Sequence, residues 1–126
     1  MSFAPDHLHY RATDAEATAR FFVDMFGAEE TGRAPQPSGA LRVMLKLGAL
    51  PIFVEGVPAG TAAPPPAPFL GLEHLGLTVP DMDAAVAGLK AKGVRFTLEP
   101  KQVRPGVRIA FLEGPDGAII ELIERR

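Results

Sequence analysis

Strand-like and helix-like stretches follow one another along the chain in an order that occurs twice. In each copy a short strand with alternating polarity precedes a stretch that begins at an aspartate and ends at a glycine, first Asp14 to Gly27 and then Asp81 to Gly93. An aspartate can accept hydrogen bonds from the free amides of a first helical turn, and glycine readily adopts the left-handed conformation that ends a helix. Both stretches are therefore predicted to be capped helices.

The repeat extends to the strands on either side of these helices. A histidine lies seven residues before each aspartate, as His7 and His74, and the later stretches 48–55 and 117–124 also correspond. Such internal repetition is typical of a symmetric fold. The sequence predicts an α+β fold of two tandem βαβββ modules, residues 3–56 and 70–126, in one domain of residues 1–126, and it places the two histidines at equivalent positions.

A proline-rich segment, residues 57–69, separates the two modules. Its five prolines lack the backbone N–H that a helix or a central strand needs. We predict a semi-rigid linker here, in preference to a proline-rich ligand for a partner domain, because no other interaction motif accompanies it.

Strand parity predicts which side chains share a face. In the first strand His7, His9 and Arg11 alternate with Leu8 and Tyr10, so the two sets point to opposite faces. The apolar set is expected to pack against the helix of its module. The last strand of the second module alternates in the same way, but parity alone does not decide which face carries Glu121.

The same parity predicts a basic surface on the face away from the helices. In the third strands Arg42 and Lys46 alternate with an apolar set, and Arg108 alternates with Ile109 and Phe111. If the apolar sets pack on the helices, the opposite face would bind an anionic substrate; long side chains at a solvated rim are the alternative. The candidate substrate-binding residues are Arg11, Arg42, Lys46 and Arg108.

Composition narrows the classes of function. The chain has 126 residues, is 47% hydrophobic and carries a formal net charge of −2, without a cluster of basic residues, so nucleic acid is not an expected partner. It has no cysteine, which excludes disulfides and thiolate ligands. No apolar run suits a membrane span or a signal peptide, and a cytoplasmic location is expected.

Short motifs in a fixed order give the chain a family resemblance. The first module carries Asp6-His7-Leu8 and Phe26-Gly27, and the second carries Glu73-His74-Leu75, Gly114-Pro115-Asp116-Gly117 and Ile120-Glu121-Leu122. With this order and spacing the chain resembles the vicinal oxygen chelate superfamily, which includes glyoxalase I, bleomycin resistance proteins and extradiol dioxygenases. The resemblance implies a curled, barrel-like mixed sheet with the helices on its outer face and a divalent metal inside.

The resemblance also implies the positions of the metal ligands. Carried over residue by residue, they are His7, Ile52, His74 and Glu121, and Ile52 cannot bind a metal. The remaining set of His7, His74 and Glu121 has open coordination positions and suits Fe2+, Mn2+, Zn2+ or Ni2+.

Two other polar residues lie close to this implied site. His9 should share a face with His7 at about two strand rises, ~6.5 Å, where it could act as a general base or acid, or only line the cavity. Glu55 could provide the metal ligand that Ile52 cannot, but strand parity puts Glu55 on the face opposite Ile52. We therefore expect Glu55 at the surface, unless a bulge at Pro51 reverses that parity.

The sequence leaves three functions open. The first is a metal-dependent enzyme with glyoxalase-like lyase or isomerase chemistry on a small, oxygen-bearing, anionic substrate. The runner-up is an Fe(II) extradiol-type dioxygenase. The third is a metal-free protein of the bleomycin-resistance kind that sequesters a ligand. A twofold homodimer is expected in each case, because it is the commonest oligomer.

Overall fold

The predicted order of helices and strands is present in a computed structural model that describes residues 1–126. The first half contains β1 (Leu8–Ala12), α1 (Ala15–Phe26), β2 (Glu29–Pro35), β3 (Leu41–Leu47) and β4 (Leu50–Gly56). The second half contains β5 (His74–Thr78), α2 (Met82–Ala91), β6 (Phe96–Arg104), β7 (Val107–Glu113) and β8 (Ile119–Arg125). The α+β fold of two tandem βαβββ modules is confirmed.

The chain divides into two compact units, Met1–Ala62 and Ala63–Arg126. Each unit has one open four-stranded mixed sheet, with the order β1-β4-β3-β2 in unit 1 and β5-β8-β7-β6 in unit 2. The boundary falls inside the proline-rich segment 57–69, which contains no helix or strand. The organisation of residues 1–126 as one domain stays a prediction.

The two helices begin as the sequence predicts. Oδ1 of Asp14 accepts from the amide of Ala17, and Oδ1 of Asp81 accepts from the amide of Ala84, each at 3.0 Å. α1 ends at Gly27, whose φ of 72° is left-handed. These caps satisfy amides that have no partner inside the helix. No helix in the structure is long and apolar enough to cross a membrane.

Each helix covers one face of its own sheet. In unit 1 Phe22 of α1 is fully buried, as are Val43 of β3 and Ile52 and Val54 of β4. In unit 2 the buried set comprises Met82, Leu89, Ala110, Leu112, Ile120 and Leu122. Because strand side chains alternate, the residues between these positions lie on the opposite face of each sheet, which we call the open face of the unit.

The predicted face of β7 is wrong. Ala110 and Leu112 are fully buried on the helix side, whereas Ile109 and Phe111 are only partly buried and lie on the open face. The prediction took Ile109 and Phe111 as the helix-facing set because Arg108 belongs to the other set, but pairing with β8 decides the face: Ala110 lies opposite the buried Leu122. Arg108, which shares parity with Ala110, therefore lies on the helix side.

Candidate functional site

The parallel pairing of β1 with β4 builds the open face of unit 1. His9 lies opposite Phe53, and Arg11 lies opposite Glu55. The antiparallel pairing of β3 with β4 sets Arg42 opposite the same Glu55. Since Ile52 and Val54 of β4 point into the core, the intervening residues of that strand point to the open face.

Two arginines converge on one carboxylate on this face. Oε1 of Glu55 accepts from Nε of Arg42 at 2.9 Å, and Nη2 of Arg42 lies 2.8 Å from the same oxygen. Oε2 of Glu55 accepts from Nη1 of Arg11 at 2.5 Å. The expectation that Glu55 is a surface residue is wrong, since only 8% of it is exposed. Its hydrogen bond with Arg42 keeps the pKa of Glu55 below the ordinary value.

His9 borders this Arg11–Glu55–Arg42 cluster. Its Nε2 lies 3.7 Å from Oε1 of Glu55 and is buried without a hydrogen-bond partner. Burial lowers the pKa of His9, and the charge of Arg11 lowers that pKa further. The ring is therefore neutral near pH 7. The ring centroids of His7 and His9 are 6.1 Å apart, close to the spacing expected along one strand.

His74 and Glu121 form a pair on the open face of unit 2. β5 and β8 run parallel with Gly76 opposite Glu121, and Nε2 of His74 lies 4.0 Å from Oε1 of Glu121. The rings of Phe111 and His74 are nearly perpendicular, with centroids 5.3 Å apart. Glu121 thus lies on the open face, which parity alone left undecided.

Each of the two equivalent histidines is held by the carboxylate that precedes it. Nδ1 of His7 is 2.7 Å from Oδ2 of Asp6, and Nδ1 of His74 is 3.2 Å from Oε1 of Glu73. An imidazole that donates its Nδ1 proton to a carboxylate presents the lone pair of Nε2 to a ligand. Sequence reasoning assigned no role to these carboxylates, although an acidic residue directly before both histidines was visible.

The strand pairing corrects the ligand position that the family resemblance assigned to Ile52. In unit 2, Gly76 pairs with Glu121. The repeat equivalent of Gly76 is His9, which pairs with Phe53 in unit 1. The residue equivalent to Glu121 is therefore Phe53, whereas Ile52 is buried in the core. The Phe53 ring stacks on His7 with centroids 4.3 Å apart. The position carries no metal-binding group in either assignment.

The predicted basic surface is only partly present. Arg11 and Arg42 meet at Glu55, whereas Arg108 donates from Nη2 to Oδ1 of Asp83 on α2 at 3.0 Å. Lys46 is exposed at the other end of β3, where it pairs with Pro51. The prediction that all four basic residues share one face is wrong for Arg108, because it followed from the wrong face of β7.

The donor atoms of unit 2 are of the kind that binds a divalent ion, but they lie slightly too far apart to share one as they stand. With bonds of about 2.0–2.2 Å, two ligands at an octahedral or tetrahedral angle lie about 3.0–3.5 Å apart, so a small side-chain rotation is needed to close the 4.0 Å between Nε2 of His74 and Oε1 of Glu121. Within either unit, no group of three or more His, Asp or Glu side chains is arranged to hold a metal. His74 and Glu121 are thus two donors and not a complete metal site by themselves.

Comparison with known proteins relates the chain to one family. The protein-family model described as the Glyoxalase/Bleomycin resistance protein/Dioxygenase superfamily matches residues 4–122. The chain is 32% identical to the uncharacterized protein YaeR of Escherichia coli, with 94% of both chains covered. It is 29% identical to a lactoylglutathione lyase of Arabidopsis thaliana, covering 94% of this chain and 43% of that protein. The chain thus spans less than half the length of that plant relative.

The solved structure of a glyoxalase family protein from Enterococcus faecalis is similar over almost the whole chain. Its TM-score is 0.83 at 26% identity, and the match covers 96% of this chain and 97% of that chain. The similarity in fold therefore includes both units.

Proposed function

Because the chain belongs to the glyoxalase, bleomycin resistance protein and dioxygenase superfamily, we propose that it is a divalent-metal-dependent enzyme. In this proposal it acts on a small, oxygen-bearing, anionic substrate by glyoxalase-like lyase or isomerase chemistry. The observation that carries the proposal is the His74 and Glu121 pair, whose donor atoms are 4.0 Å apart on the open face. Its plant relative, named as a lactoylglutathione lyase, supports the reaction class.

The proposed ligands are His74 and Glu121, with His7 as the third ligand that the family resemblance implies. Two imidazoles and a carboxylate suit Fe2+, Mn2+, Zn2+ or Ni2+. Glu73 and Asp6 support this role, since each occupies Nδ1 of its histidine and leaves Nε2 to bind. When bound, such an ion supplies Lewis-acid polarisation of substrate oxygens.

Other residues of the chain would bind the substrate and move a proton. The Arg11–Glu55–Arg42 cluster would hold an anionic group of the substrate, since the Arg11 side chain is 59% exposed. His9 would accept or donate a proton as a neutral imidazole, and 26% of its side chain remains exposed. The phenyl ring of Phe53 would limit the access of water to His7, on which it stacks.

A metal-free sequestering protein is the second candidate function. Two observations favour it: Phe53 replaces the carboxylate at the unit 1 position equivalent to Glu121, and neither unit gathers three donors by itself. In that case Phe53 and Phe111, each beside a histidine, would form apolar binding surface on the open face of their own units. The homodimer and the cytoplasmic location remain parts of the proposal in either case.

Metal analysis of the whole protein tests the proposal. The chain is purified without a metal-affinity tag, reconstituted separately with each of the four ions, dialysed and analysed by mass spectrometry. We expect about one ion per chain. His74→Ala and Glu121→Gln should abolish retention, whereas Glu113→Gln, which changes an exposed carboxylate at the end of β7, should not. No retention by the wild type with any ion would leave the sequestering function.

The reaction class is tested by the role of dioxygen. The metal-loaded protein is assayed with α-hydroxycarbonyl compounds and with catechols, first anaerobically and then in air. Turnover that is unaffected by oxygen supports lyase or isomerase chemistry. Oxygen uptake with ring-cleavage absorbance would instead establish the dioxygenase.

A further inference from the structure

The Arg11–Glu55–Arg42 cluster carries an excess of positive charge. Two guanidinium groups and one carboxylate give a net charge of one positive unit. Glu55 is the acidic group within this cluster and is almost fully buried. Its charge therefore sets how much positive potential the two arginines present to a ligand.

The contacts with Glu55 leave donors on the arginines. Arg42 uses Nε and Nη2, and Arg11 uses Nη1. A guanidinium has five N–H donors, so the exposed side of Arg11 retains donors for an oxyanion. Arg42 is further fixed over the face of the Phe53 ring, with its Cζ 5.6 Å from the ring centroid.

We infer that Glu55 is a specificity-determining residue, which makes this cluster select ligand groups that carry a single negative charge, such as a carboxylate, over dianions. This inference rests on the proposed function, in which the cluster holds the anionic group of the substrate. A monoanion matches the one net positive charge. A dianion loses more hydration on binding, and its second charge is repelled by Glu55.

Two small anions of the same shape test this selectivity. Methanesulfonate and sulfate are both tetrahedral oxyanions, ionised at neutral pH, that differ by one charge. Each is titrated into the 15N-labelled full chain after EDTA treatment, at constant ionic strength, and the arginine Nε–Hε signals are followed by NMR. We expect the wild type to bind methanesulfonate at least as tightly as sulfate.

The decisive variant is Glu55→Gln, which keeps the size of the side chain and removes its charge. We expect the ratio of sulfate to methanesulfonate affinity to rise about tenfold. Glu30→Gln is the matched control, since Glu30 also pairs with an arginine, Arg33 at 2.6 Å, but lies outside the cluster. That variant should keep the wild-type ratio. Arg11→Gln should weaken the binding of both anions.

Three outcomes would overturn the inference. They are an unchanged ratio in Glu55→Gln, wild-type affinity for both anions in Arg11→Gln, or a clear preference of the wild type for sulfate. The last outcome is decisive even if Glu55→Gln does not fold, which circular dichroism would show. Because the titration needs neither a metal nor turnover, a chain that retains no metal but shows the expected selectivity would refute only the proposed enzyme.

Discussion

Gly76 of β5 leaves open the space beside the carboxylate of Glu121 on β8. A Cβ atom built at Gly76 would lie 3.6 Å from Oε1 of Glu121, an ordinary van der Waals contact. In unit 1 the equivalent positions hold His9 and Phe53. In the proposed site, a residue no larger than alanine at position 76 would therefore leave a metal ion access to Glu121.

Gly76→Val should reduce metal retention strongly, by about tenfold or more, because a branched side chain would fill the space beside Glu121. Gly76→Ala is the matched control and should retain the metal, since its Cβ fits at 3.6 Å from Oε1 of Glu121. Valine suits a strand, so the fold should persist. The measurement is the dissociation constant of the reconstituted ion by competition with a chelator. Equal affinities in both variants would remove Glu121 from the proposed ligand set.

Glu73→Gln should weaken metal binding about 10- to 100-fold, because it removes the charge that holds Nδ1 of His74. The same chelator competition measures this effect. Glu99→Gln serves as control, since Glu99 is an exposed carboxylate of the same unit that pairs with Lys90. If Glu73→Gln binds the ion like the wild type, Glu73 has no orienting role and the interpretation of the Nδ1 contacts fails.

Phe22→Ala should destabilise the protein by about 3–5 kcal/mol, since it removes a fully buried ring and leaves a cavity. Val23→Ala, at the next and more exposed position of α1, should cost far less. Urea unfolding followed by circular dichroism gives both values. Similar losses in the two variants would contradict the packing of α1 on its sheet.

The ion pair between Asp83 and Arg108 should make a pH-dependent contribution to stability. The hydrogen bond from Arg108, and then its charge, lower the pKa of Asp83 below its ordinary value of 3.8. A depressed carboxylate pKa stabilises the folded state above the unfolded pKa, and this stabilisation is lost as the pH falls through the folded value. We expect Asp83→Asn to lower Tm near pH 7, and the difference from wild type to shrink below about pH 3.8.

Glu29→Gln, which changes an exposed carboxylate at the start of β2, is the control for this pH series. Its Tm difference from the wild type should stay small throughout. A difference for Asp83→Asn that is constant from neutral to acidic pH would show that the lost stability comes from packing and not from the ion pair.

Local sequence signals were sufficient for the order of elements. A helix cap acts on backbone groups only a few residues away, so residue type and spacing along the chain are enough to predict it, as at Asp14, Asp81 and Gly27. Strand faces were predictable where one set was polar, as for Val43 and Leu45 against Arg42. The prediction failed in β7, whose helix-facing set includes Arg108, and there only the pairing of Ala110 with Leu122 decides the face.

The details of the site depend on partners that are distant along the chain. Glu55 is buried because Arg11 and Arg42, on two other strands, both form hydrogen bonds with it. No local sequence pattern predicts these two contacts. The equivalence of Phe53 with Glu121 likewise follows from the register of two parallel pairings. The position carried over from the family resemblance was one residue away, at Ile52.

The parallel pairings also have a kinetic consequence. β3 and β4 are neighbours in sequence, whereas Arg11 and Glu55 are 44 residues apart. Contacts between distant residues cost more loop-closure entropy and slow folding. We expect the β3–β4 and β7–β8 hairpins to form first, and β1 and β5 to join their sheets late. β5, which bears His74, and β1, which begins directly after His7, would then be the last to dock, so the proposed metal site would be complete only at the end of folding.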